Sequence, residues 1–224
     1  MGKSKKREAK LLARRKARRL GYRKFEPSWV IGIDNGVTGA LCVMPFGDIA
    51  DSEPLEPSSE HFWRVPTSRT ENYQKEAKSI TRLNTSKLLE RLQSWVLIEE
   101  AFAVIERPLV NPARFDATLS AVRCFEATLV VLEHLGIPYR FIDSREWQSA
   151  LLPGIKGPGN LKDAGMEWCR KRYPDLSYEF DEATPIKNFP DDGDAVCIAH
   201  YAKNFFKDQD IVANRNGAGW LIPR

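Results

Sequence analysis

The sequence predicts an α/β domain: a five-stranded mixed sheet, with a three-strand antiparallel meander and two further parallel strands, flanked by helices. Three observations point there. Short apolar runs of strand length alternate with longer stretches of helical period, in the order three strands, helix, strand, helix, strand, helices. Two of those runs, residues 29–34 and 102–106, are almost wholly apolar and then end in an acid, as strands buried on both faces and finishing at a sheet edge do. A length of 224 residues suits one domain with a sizeable core.

The elements follow in order. Residues 1–26 are expected to form a basic, disordered or conditionally helical arm, residues 27–207 the folded body, and residues 208–224 an irregular tail. Within the body, residues 29–34 are the first strand. Asn35-Gly36-Val37-Thr38-Gly39 is a glycine-bearing turn, and residues 40–46 return as a hairpin. Residues 47–60, rich in Asp, Glu, Pro and Ser, read as loop. Residues 61–65 form a third strand stopped by Pro66, and a polar stretch covers 67–82. A helix opens at Asn84 or Thr85, with Leu88, Leu89, Leu92 and Val96 at helical spacing.

Residues 102–106 are the fourth strand. Pro108 and Pro112 interrupt the loop after it, and a long helix over 113–135 is closed by Gly136. Residues 138–142 are the fifth strand. A short helix then carries Trp147, a glycine-rich loop spans 153–160, and a helix over 161–173 ends at Tyr173-Pro174. Residues 174–190 read as polar loop. The last helix, 192–206, places Ala195, Ile198, Ala199, Ala202 and Phe206 on one face.

Composition narrows the function classes. No stretch approaches the roughly 18 apolar residues of a membrane span, and no secretory signal is visible. Cys42, Cys124, Cys169 and Cys197 form no CxxC pair, so they read as reduced thiols of an intracellular protein. The three histidines have no metal-ligand spacing, and His200 reads as a packed or surface imidazole. The formal charge of +4 divides sharply: residues 1–24 carry +11 and the remainder −7. Such an arm, which includes Arg14, Arg15, Arg18 and Arg19, suits phosphate binding, although a solvated tail or a targeting address has the same composition.

Four carboxylates carry the chemistry. Asp34 and Glu106 each close a strand, and Asp191 and Asp194 stand three apart at the start of the last helix. An acid at the end of a buried strand is costly unless a proton or a cation offsets it. Several together make a hard oxygen site of the kind Mg²⁺ or Mn²⁺ occupies. Blander accounts exist for each. Asp34 with Gly36 and Gly39 fits a plain hairpin turn, Glu106 a rim ion pair with Arg107, and the Asp-Asp-Gly-Asp run simple N-capping. One cap needs one Asp, however, and Asp194 aligns with the apolar stripe facing the sheet.

In three stretches the sequence resembles RuvC-type Holliday junction resolvases, most closely their phage-borne and plastid branches. They are Ile31-Gly32-Ile33-Asp34-Asn35-Gly36-Val37-Thr38-Gly39-Ala40, Val104-Ile105-Glu106-Arg107-Pro108, and residues 191–200. The likeness covers about residues 29–206 and includes Ser144-Arg145-Glu146-Trp147-Gln148 and the basic loop leading to Lys162. Asn35 stands where the family usually has Pro. The third motif is compressed, so that Asp192 is the alternative to Asp191 as fourth ligand.

The resemblance implies an RNase H-like fold and a homodimer acting on branched DNA in recombination and repair. It implies two Mg²⁺ ions, replaceable by Mn²⁺, held by Asp34, Glu106, Asp191 and Asp194. Lys162 is then expected at the scissile region, with Arg107, Arg145 and Lys156 as further DNA contacts. Localisation would be intracellular and DNA-associated, in a bacterial or phage-infected cytoplasm, with organelle or nucleus as alternatives. Other readings are an RNase H-like nuclease for flaps or RNA–DNA hybrids, a non-catalytic basic-armed nucleic-acid-binding protein, and an actin-like ATPase or sugar kinase.

Overall fold

The computed structural model of the chain describes residues 23–46, 62–72, 79–94, 98–173, 193–206, 209–213 and 219–223. The arm arginines Arg14, Arg15, Arg18 and Arg19, the segments expected as loops at 47–60 and 174–190, and both Asp191 and Asp192 lie outside the described residues.

In chain order the strands are β1 (Arg23–Phe25), β2 (Trp29–Asp34), β3 (Ala40–Pro45), β4 (Phe62–Arg64), β5 (Thr67–Glu71), β6 (Ser79–Leu83), β7 (Ala101–Glu106), β8 (Tyr139–Ile142), β9 (Gln209–Ala213) and β10 (Gly219–Pro223). The helices are α1 (Thr85–Gln93), α2 (Phe115–Leu135), α3 (Ser144–Leu151), α4 (Pro158–Arg172) and α5 (Gly193–Phe206).

The central sheet runs β4-β3-β2-β7-β8. β2, β3 and β4 pair antiparallel, and β7 and β8 join parallel to β2 and to each other. This is the expected mixed five-stranded α/β sheet. Parallel neighbours need a crossover, and α2 supplies the one between β7 and β8.

Strand alternation divides the core in two. Val30, Phe102 and Val104 face α5 with Trp147 of α3 and Cys169 of α4. Ile31, Ile33, Ala103 and Ile105 face the opposite side, against Leu88 and Leu92 of α1 and Val131 and Leu132 of α2. With both faces covered, the central strands stay apolar without alternation. Each large side chain buried this way contributes roughly 1.5–3 kcal/mol. The expected α5 stripe is buried throughout, and so are Val196, Cys197, His200, Tyr201 and Lys203. That helix touches β2, β3, β7, α3 and α4, so little of it meets solvent.

Several expectations need correction. The polar stretch 67–82 contains a β-hairpin, β5–β6, paired from Thr67 with Leu83 to Glu71 with Ser79. Its alternating, Thr-rich strands leave Thr67, Arg69, Glu71, Ser79 and Thr81 exposed and half-bury Ser68, Thr70 and Ile80 on the other face, while Leu83, at the end of β6, is buried in the core. The described residues after 207 are strands rather than irregular chain. β9 and β10 form a hairpin, and β1 pairs with β9 from Arg23–Ala213 to Phe25–Ile211. The last residues assigned to the arm are therefore a strand of this second sheet, and the boundary at residue 26 falls immediately after it. Buried Ile211 and half-buried Phe25 pack against the cluster that contains Phe206. The 161–173 helix begins earlier, at Pro158, where a fixed φ suits the first helical turn.

Candidate active site

β2 and β7 run parallel with Ile33 opposite Ile105, so the next residues, Asp34 and Glu106, emerge side by side at one sheet edge. The period of two puts both on the face that carries Gly32 and Val104, beneath α5.

Gly32 sets how close that helix comes. A Cβ there would lie 2.4 Å from both the carbonyl oxygen of Ala195 and the amide nitrogen of Ala199. Backbone therefore rests directly on backbone, and Asp194, one residue before Ala195, is carried to the strand ends. The helix start is also fixed from α4. The Cys169 thiol donates to the carbonyl of Gly193 at 3.3 Å, and its sulfur is 3.5 Å from that of Cys197. A Cβ on Gly165 would sit 3.8 Å from Oδ1 of Asp194, so α4 presents its small residue to this carboxylate. Farther along, Tyr173, His200 and Asn204 form a hydrogen-bonded chain, with the buried Tyr173 hydroxyl 2.7 Å from Nδ1 of His200 and the half-buried Asn204 amide 2.8 Å from Nε2. An amide nitrogen only donates, so the Nδ1–H tautomer satisfies both contacts. His200 is thus the packed imidazole of the two expected alternatives.

The three acids interact. Burial pushes the Glu106 carboxyl up from 4.5 to about 8, and the charges of Asp34 and Asp194 push in the same direction. Hydrogen bonds from Trp147 and Ser144 act against this rise. The Trp147 indole N–H donates to Oε2 of Glu106 at 3.4 Å, from a ring that is almost fully buried. The rim ion pair considered for Glu106 is not formed. Arg107 points to the other face and binds Asp143 through both carboxylate oxygens at 3.1 and 3.2 Å, which links the end of β7 to the N-cap of α3.

The turn after Asp34 is similarly built. A Cβ on Gly39 would lie 2.1 Å from the Asp34 carbonyl oxygen, so only glycine fits there. Asn35 donates from Nδ2 to the carbonyl of Ala121 in α2 at 3.2 Å, tying the turn to that helix in a way proline could not. Its Oδ1 is buried with no hydrogen-bond partner.

Lys162 stands one helical turn before Gly165 on α4, on the side that meets Asp194, and it is exposed. Arg145 and Lys156 are also exposed, in the first turn of α3 and in the loop between α3 and α4. The structure therefore gathers Asp34, Glu106 and Asp194 and sets basic residues along the adjoining elements. Sequence reasoning missed Trp147 and Ser144 as partners of Glu106, and Gly32 and Gly165 as the close approaches that seat Asp194. A glycine in the middle of an apolar strand was the available signal for Gly32.

Among the described residues no group of three His, Cys, Asp or Glu side chains is arranged to hold a metal ion by itself. The three carboxylates stand as interacting neighbours rather than as a closed ligand set. Their chemistry nonetheless fits a hard divalent cation. The donors are all carboxylate oxygens, and a cation would offset both the burial and the neighbouring charges that raise Glu106.

No family model and no curated protein matches the chain. Two solved structures of Thermus thermophilus RuvC are similar to it. One, in complex with Holliday junction substrate, is 20% identical over 77% of this chain and 90% of that one, with a TM-score of 0.46. The other is 15% identical over 78% and 95%, with a TM-score of 0.45. The fold class rests on the strand order and pairing themselves. No helix among the described residues is long and apolar enough to cross a membrane.

Proposed function

We propose that the chain is a divalent-cation-dependent DNA endonuclease that resolves four-way junctions in recombination and repair, with motifs nearest the phage-borne and plastid resolvases. The observation that supports this most is the convergence of Asp34, Glu106 and Asp194, from three separate elements, at one sheet edge, where burial and then the charges of Asp34 and Asp194 raise the Glu106 pKa. Acids used only for capping or surface ion pairs do not converge in this way.

In this reading Asp34, Glu106, Asp194 and Asp191, or Asp192 in its place, would hold two Mg²⁺ ions, with Mn²⁺ able to substitute. When bound, the ions supply Lewis-acid activation of water and charge stabilisation at the leaving 3′ oxygen. The residues do the rest. Glu106 holds a proton near neutral pH and gives it up as the site is loaded. Trp147 and Ser144 fix its carboxylate, and the contacts at Gly32 and Gly193 fix Asp194. Lys162 faces the scissile region, Arg145 and Lys156 meet neighbouring phosphates, and the basic arm adds salt-dependent affinity. Arg107, engaged by Asp143, acts first in holding α3. A homodimer brings two such sites to two symmetry-related strands. The protein then works inside the cell on DNA.

The test compares a synthetic four-way junction, a duplex, a flap and an RNA–DNA hybrid, with and without Mg²⁺. Cutting of the junction alone, dependent on Mg²⁺ and lost in Asp34→Asn, is the expected result. Preferential cutting of the flap or hybrid replaces the substrate, and tight junction binding with no cutting makes this a binding protein.

A further inference from the structure

On the opposite side of the Asp34 turn from the acids, a cleft of about 430 Å³ opens between the β5–β6 hairpin and the first half of α2. That volume lies in the range, roughly 300–1,000 Å³, of clefts that hold ligands. Its floor includes Leu83, Leu119 and Cys124. Its polar wall includes Arg82, Thr81 and Asn72 from the hairpin side, and Ser120, Arg123 and Asp116 from α2. Two guanidinium groups against one carboxylate leave the lining cationic, in a body that is acidic once the arm is set aside. Arginine forks and hydroxyl groups are the donors that phosphate oxygens take.

The cleft is joined to the acid site. Val37 lines it and lies three residues after Asp34, a reach of at most about 10 Å along the chain. Ser120 precedes Ala121, whose carbonyl receives the Asn35 amide, so the wall of the cleft and the catalytic turn are bolted together. DNA carries one phosphate per 3.4 Å of axis on each strand, so about three phosphates span that distance.

We propose that this cleft binds the phosphodiester backbone of the DNA substrate a few nucleotides from the cleavage point, with Arg82 and Arg123 as its cationic contacts. It is a second DNA-binding surface, separated by the sheet edge from the basic face of α3 and α4, and it gives the β5–β6 hairpin a purpose. The inference rests on the proposed action on DNA.

The test measures binding, not cutting. Affinity of the full chain for a fluorescent four-way junction is followed across salt concentrations in EDTA, for wild type, Arg82→Ala, Arg82→Ala with Arg123→Gln, and Lys171→Ala. Lys171 is exposed and paired with Glu167 on α4, so it serves as a control. Each cleft arginine lost should flatten the slope of log K against log[salt] by about one, and the control should leave it unchanged. Thermal melts establish that the variants fold. Thr81→Glu, at an exposed hairpin position, places a negative charge in the same wall and should weaken binding several-fold without touching either arginine. Wild-type binding with an unaltered slope in the double variant and unaltered affinity in Thr81→Glu overturns the cleft alone. Failure of the wild type to bind any DNA overturns the cleft together with the function it rests on. Stabilisation by a free deoxynucleoside monophosphate, lost in the arginine variants while their junction binding stays intact, makes the cleft a small-ligand site and overturns its role in DNA binding.

Discussion

Replacing Glu106 by Gln should stabilise the metal-free protein, and increasingly so as pH rises. The side chain keeps its shape and can still accept the Trp147 indole N–H, but it can no longer ionise beside Asp34 and Asp194. The folded-state pKa of Glu106 lies above the unfolded one. Below about pH 4.5 both states are protonated, and the carboxyl costs the wild type nothing. Between 4.5 and about 8 the unfolded chain releases its proton while the folded chain keeps it, so wild-type stability falls; above 8 the loss levels off. That interval, at about 1.4 kcal/mol per pH unit, sets a ceiling of roughly 5 kcal/mol, lowered by solvent screening because the carboxylate is partly exposed. Against a total stability of about 5–15 kcal/mol this is a large effect. Urea denaturation of both proteins in EDTA at pH 5, 7 and 8.5 reads it directly. Near equality at pH 5 and a widening gain for Glu106→Gln above it are expected. A variant no more stable than wild type at pH 8.5, or a gain that does not grow with pH, refutes the argument that burial, helped by the charges of Asp34 and Asp194, holds Glu106 protonated.

Further predictions follow from the same contacts. Gly32→Ala places a methyl group against two backbone atoms of α5, so denaturation should show a loss of at least about 3 kcal/mol or no soluble protein. Trp147→Phe removes a donor to Glu106 along with buried volume; it should cost about 1–3 kcal/mol and raise several-fold the Mg²⁺ concentration needed to stabilise the protein in thermal melts. Arg107→Ala breaks an exposed ion pair with Asp143, so stability measured in urea should change by less than about 1 kcal/mol.

The central sheet was legible because its signals are local. Residues 29–34 and 102–106 are short apolar runs that end abruptly in charge, and Gly136 closes a long periodic helix with φ of 69°. The same patterns marked Asp34, Glu106 and Asp194, since an acid on a buried stripe is rare enough to stand out. What escaped depends on partners far away in sequence. β1 and β9 pair across almost the whole chain, and neither has enough apolar content to announce a strand alone, although Asn216-Gly217 between two apolar runs is a hairpin signal. The β5–β6 strands are polar because one face meets water, so composition hid them. The Trp147 contact with Glu106 crosses 41 residues and has no local signature. Arg107, the residue directly after a proposed ligand, invited a role in DNA binding, but strand alternation turns it to the other face and to Asp143.

Whether the carboxylates gathered at the ends of β2, β7 and α5 cut branched DNA, as proposed, is decided by mapping the nicks. A synthetic four-way junction, labelled in turn on each strand, is incubated in Mg²⁺ with wild type and with Asp34→Asn. Paired nicks at symmetric positions in two opposed strands, leaving 5′-phosphates, are expected from the wild type and none from the variant. Nicks of equal yield from Asp34→Asn, or no nick from the wild type in Mg²⁺ or Mn²⁺, would contradict the proposal.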